Sequence, residues 1–199
     1  MSDRASEIAY DLAVIEAMVA EMEPYLKSDL LYWRLSPAVP LRPAAPLLTI
    51  GGVLLRTHRL GGQSDRLTPD QRNRLSAASD AFRVVTERWA AHTEKRMRRE
   101  LDARLNSWQW FVDDCRERKQ ACVAYYATEA ELRTLLDLLI EAAAGFGNVV
   151  PQQRRLGLLD SQFRRWLRPG DFVWAALLEP VYPRNRFWWL YGRPEFPPR

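Results

Sequence analysis

The sequence predicts an α+β protein that is mainly α: a helical bundle with a long central helix and a small antiparallel or mixed sheet from residues 46–60 and 171–192. Three observations predict it. From Asp70 to Ala144 there is neither proline nor glycine, and apolar residues recur there at three- and four-residue spacing. Thr68-Pro69-Asp70-Gln71 and Thr128-Glu129-Ala130-Glu131 are capping-box patterns, which mark helix starts. Two segments outside that stretch, one on each side, carry the β-branched and aromatic residues that favour strands.

The elements follow in order. Ile8, Leu12, Ile15, Val19, Met22 and Leu26 step by three and four, so a helix is expected over about 4–28, kinked or ended near Pro24. The same spacing suits a short coiled coil, which makes Leu12, Ile15 and Val19 candidates for self-association. Four prolines in 36–46 predict an extended connector. In 46–60, two apolar arms flank Gly51-Gly52, which predicts a tight hairpin or one strand bent at a glycine bulge. Helix is expected over 69–126, as one rod or broken near 105–107, then over 128–144 after a return at Tyr126–Thr128, and over 154–167. Arg168-Pro169-Gly170-Asp171 is a turn signal. Phe172–Glu179 and Arg186–Tyr191 are expected as strands, and 194–199 as a short disordered tail.

Composition bounds the function. The 199 residues suit a single domain, and 47% hydrophobic with 27% charged is the balance of a folded chain. The net charge of +4 is modest, so the chain is no nucleic-acid-coating protein by charge alone. It is unevenly spread: residues 1–50 carry four basic and seven acidic groups, residues 151–199 nine and four. Cys115 and Cys122, placed seven residues apart on one helix, would lie roughly 10 Å apart, too far for a disulfide. Both are expected as core residues. The acidic N-terminus is no signal peptide and no apolar run is long enough to span a bilayer, so a cytoplasmic protein without membrane contact is expected.

No chemistry-bearing motif stands out. His58 and His92 lack ligand partners at helical spacing, and neither HExxH nor CxxC occurs, so no metal, cofactor or catalytic residue is assigned. Adjacent Asp113 and Asp114 diverge by about 100° on a helix. The segment Asn185–Phe196 packs five aromatics beside arginines. As a strand it would be apolar on both faces, which fits a buried strand. Trp188 and Trp189 are also candidates for a partner surface, or for stacking on bases. Arg96, Arg99 and Arg104 on the central helix, with Arg164, Arg165 and Arg186, are the candidates for phosphate or an acidic partner. Three function classes follow: a non-enzymatic protein-interaction or scaffold module, self-associating in one version; a nucleic-acid-binding accessory protein; and an enzyme with an unrecognised site.

Overall fold

The computed structural model describes residues 2–36 and 45–196. The fold is mainly α with one two-stranded antiparallel sheet. The chain forms two compact units, Met1–Glu100 and Leu101–Arg199.

In the first unit, α1 (Ser2–Ala20) is followed after Glu21 by α2 (Met22–Lys27). Pro24 explains where α1 stops. Its missing N–H would have been received by the carbonyl four residues back, at Ala20, and its ring would crowd that carbonyl. Inside the first turn of α2 the same proline is tolerated, because the N–H groups there have no intrahelical partner. Beyond α2, Trp33 and Leu48 exchange backbone hydrogen bonds at 3.1 and 2.8 Å. Most of the expected 36–46 connector lies outside the described residues.

The expected hairpin at 46–60 is instead a helix, α3 (Ile50–Gly61). Gly51-Gly52 falls in its first turn, where two outside groups hold the orphan donors. The Thr49 hydroxyl accepts from Gly52 N at 2.9 Å. Both carboxylate oxygens of the buried Glu100 accept from Gly51 N at 3.2 Å. An N-cap and a buried anion at a helix N-terminus outweigh the strand propensity of the neighbouring β-branched residues.

α4 (Pro69–Arg88) begins as expected: Thr68 Oγ1 accepts from Gln71 N at 3.2 Å, and Gln71 Oε1 from Thr68 N at 3.0 Å. Leu12, Ile15, Leu60, Leu67, Leu75 and Ala78, from α1, α3, α4 and the chain between, close one core cluster with Ile8 and Val19 at its margin. The helix is interrupted at Trp89, and α5 (Ala90–Glu117) runs unbroken through 105–107.

In the second unit the return expected at Tyr126–Thr128 occurs at Arg118, the residue between α5 and α6 (Lys119–Ala143). The second capping box does not form, because Thr128 lies inside α6. This corrects the cysteine reading as well. A sharp turn at Arg118 brings the Cα atoms of Cys115 and Cys122 to 4.8 Å, and the two are joined by a disulfide. After α7 (Val150–Phe163) come β1 (Leu167–Phe172) and β2 (Tyr191–Pro194). They pair Leu167 with Pro194 and Phe172 with Tyr191, with a register shift between Pro169 and Phe172 that absorbs the turn signal. Gly192 has φ +148°, and a Cβ there would meet the Arg168 carbonyl oxygen at 2.1 Å, so only glycine fits.

The two expected strands of 171–192 are mostly not strands. Ala176–Val181 and Trp188–Leu190 are 3-10 turns. The Pro183 carbonyl accepts from Phe187 N at 2.9 Å and starts a turn where a strand was expected. The aromatic run is nevertheless core: Phe187, Trp189 and Leu190 are buried. Pro194 and Glu195 are not a loose tail, since Glu195 N donates to the Trp166 carbonyl at 2.9 Å. Residues 197–199 lie outside the described residues.

Candidate interaction site

The turn at Arg118 makes a helical hairpin, and its two arms face each other with matched spacing. Ser107, Trp110, Phe111 and Asp114 line one side of a cleft, and Cys122, Tyr125 and Glu129 the other. Steps of three, four and seven put each set on one face of its helix. The cleft holds about 220 Å³. Cys122, one of the lining residues, is joined to Cys115 by the disulfide. Phe111 is buried against Tyr126, ring centroids 6.2 Å apart, and Tyr126 in turn stacks on Phe163 at 5.4 Å. The hairpin therefore stands on a rigid aromatic base.

Two large aromatics do not join that base. Trp110 is 69% exposed and Tyr125 65%. Single exposed hydrophobics are ordinary, but two rings flanking one cleft are the kind of surface that partners use.

The charges in the cleft are unequal. Asp114 is held by Arg118, whose guanidinium donates to its two oxygens at 2.6 and 2.7 Å. Glu129 is partly buried, and among the described residues no arginine or lysine pairs with it. Burial first, and the charge of Asp114 second, push the Glu129 carboxyl above its ordinary range.

A contrasting arrangement lies elsewhere in the same unit. Arg133 is buried and forks onto Asp160, Nε to Oδ1 at 2.9 Å and Nη2 to Oδ2 at 2.7 Å. Its guanidinium lies 3.8 Å from the Trp189 ring centroid. The Trp189 indole N–H donates to Thr134 Oγ1 at 3.0 Å, and the Tyr126 hydroxyl donates to the Trp189 carbonyl.

A second cleft, of about 540 Å³, is lined by Phe172, Trp174, Glu179, Arg184 and Tyr191. Its ring donors are engaged internally: Trp174 Nε1 donates to the Ala127 carbonyl at 3.1 Å and the Tyr191 hydroxyl to that of Tyr182 at 2.7 Å. Among the described residues no group of three or more His, Cys, Asp and Glu side chains could hold a metal ion.

The residues singled out from the sequence are scattered. Leu12 and Ile15 are buried in the core with Val19 at its edge, so the α1 seam faces its own unit. Arg96 is buried, and its guanidinium donates to the Tyr25 carbonyl at 3.2 Å and to those of Ser28 and Leu30. There it complements the C-terminal dipole of α2. Arg99 donates to the Asp29 carbonyl at 3.0 Å. Arg104 is half-buried, and Arg165 is exposed. Arg164 lies 3.5 Å from the ring centroid of the half-buried Trp188. Trp189 is buried against Arg133. Arg186 pairs with Asp137 at 2.8 Å and Glu141 at 2.6 Å. None of these residues lines the hairpin cleft. Trp110 and Tyr125 were missed, although a signal existed: each is an aromatic beside, but off, the inward stripe of Trp108 and Tyr126.

No protein-family model matches the chain, and neither a curated protein nor a solved structure matches it. No helix among the described residues is long and apolar enough to cross a membrane.

Proposed function

We propose that this chain is a non-enzymatic protein-interaction module that docks a partner protein on the α5–α6 hairpin. The observation that carries the reading is the pair Trp110 and Tyr125, exposed at 69% and 65% on one cleft that rests on packed aromatics and is bridged to α5 through Cys122. Rigid aromatics offer large contact area at small entropic cost, which is why tryptophan and tyrosine dominate interface hot spots. A second copy of the chain is one version of such a partner, through this surface and not through the α1 seam. The nucleic-acid reading has less support, because Arg96 and Arg186 are engaged by internal carbonyls and carboxylates.

The test is a photo-reactive benzoylphenylalanine at position 125, irradiated in the cells that make the protein, with position 73 as an exposed control. A discrete protein adduct at 125 that disappears with Trp110→Ala is the expected result. Adducts equal at 125 and 73, or indifferent to Trp110, would end the reading. Light scattering of the purified chain identifies self-association as a mass near a multiple of 23.1 kDa. The compartment enters through the disulfide. A cytoplasmic setting, expected from the sequence, keeps most cysteine pairs reduced, whereas an oxidising compartment keeps Cys115 and Cys122 joined. Rapid alkylation of the protein in its own cells, read by mass, separates the two.

A further inference from the structure

We propose that the α5–α6 cleft takes an arginine side chain of the partner polypeptide, with its guanidinium against the Trp110 and Tyr125 rings and its donor fork on Glu129. The inference rests on the docking surface proposed above and names the group that surface reads.

Charge is the first argument. Glu129 is a partly buried carboxylate without a cation among the described residues, and removing such a group from water is unfavourable unless an opposite charge replaces the lost hydration. Asp114 is already satisfied by Arg118, so the vacant acceptor in the cleft is Glu129. The aromatic walls select the same kind of occupant, because the face of an indole or phenol ring attracts a cation.

Size is the second argument. Pockets for small-molecule ligands and cofactors run to about 300–1,000 Å³. A cleft of about 220 Å³ suits one long side chain better than a free ligand. Arginine fits better than lysine, since its planar group stacks on rings, holds water less tightly and meets a carboxylate with two parallel donors.

The chain supplies its own precedent. Arg133 lies on the Trp189 face at 3.8 Å and forks onto Asp160 at 2.9 and 2.7 Å. The hairpin cleft presents the ring and the carboxylate of that arrangement without the arginine.

The probe is acetyl-Gly-Arg-Gly-amide, compared with the citrulline and lysine versions, followed by NMR at the Trp110 indole N–H of the full chain. Citrulline keeps the shape and removes the charge, so this comparison needs no protein variant. Expected are a saturable shift with arginine, about tenfold or more weaker binding of citrulline, and a similar loss of the arginine response in Glu129→Gln. Equal responses to arginine and citrulline, equal responses to arginine and lysine, or an arginine response indifferent to Glu129→Gln would overturn the proposal. Its failure is separable from that of the interaction reading. A Trp110-dependent adduct at position 125 with no arginine response means that a partner docks there by apolar contact alone.

Discussion

Two sites within residues 101–199 set a carboxylate beside an indole ring, and only one of them holds an arginine. At the Arg133 site, cation, anion and ring all come from the chain and are buried together. At the hairpin cleft, Glu129 is partly buried and the rings of Trp110 and Tyr125 are open to solvent. The chemistry is the same and the consequence differs. A complete buried set orders the fold, because losing any member strands the others out of water. An incomplete exposed set leaves the fold intact and offers the missing member's place to another molecule.

The largest effect should fall on the complete set. Asp160→Ala leaves the buried Arg133 with only the longer 3.7 Å approach of Asp137 in place of its forked anion, and should destabilise by about 3–5 kcal/mol in urea unfolding. Replacing both residues by apolar ones of similar volume should recover most of that loss. A single substitution below about 1 kcal/mol would mean that the pair is not buried as described.

Next is the covalent closure. Cys115→Ser removes a bridge across a short loop and should lower stability by about 2–3 kcal/mol. It should also weaken the arginine-peptide response, since the bridge ties the lining residue Cys122 to α5. A full loss of stability with an unchanged peptide response would show that the cleft does not depend on the bridge.

A smaller effect concerns the ionisation of Glu129. Burial and Asp114 raise the Glu129 carboxyl, so the folded state favours the protonated form. That contribution is present below the ordinary carboxylate range and is lost as pH rises through the raised value. The melting-temperature difference between Glu129→Gln and wild type should therefore shift in favour of the variant from pH 3.5 to pH 7. A shift in favour of wild type would show that Glu129 has a cationic partner at neutral pH. The smallest expected stability change belongs to Trp110→Ala, within about 0.5 kcal/mol of wild type, although it should abolish both the adduct at position 125 and the peptide response.

The sequence revealed what local chemistry decides. The Thr68–Gln71 capping box and the stripe through Leu75 and Ala78 are local, and they form. So does the interruption caused by Pro24, three residues early because the affected carbonyl lies four residues back. Gly51-Gly52 misleads because its helix is held by Glu100, forty-nine residues away. The turn at Arg118 carries no proline or glycine, and its disulfide exists only once the turn does. The site was less legible still. Trp110 and Tyr125 were visible as aromatics off the stripe, but their meeting across one cleft depends on that turn. Glu129, an intervening position of the expected helix-start pattern, gains its different role from the neighbour that α5 places opposite it.

The most direct test of the central claim is a double-mutant cycle between Glu129→Gln in the protein and arginine-to-citrulline in the peptide, with the four dissociation constants measured by the Trp110 shift. If Glu129 holds the guanidinium, the two changes should couple by about 1 kcal/mol or more. Additive effects, with coupling under about 0.3 kcal/mol, would contradict it.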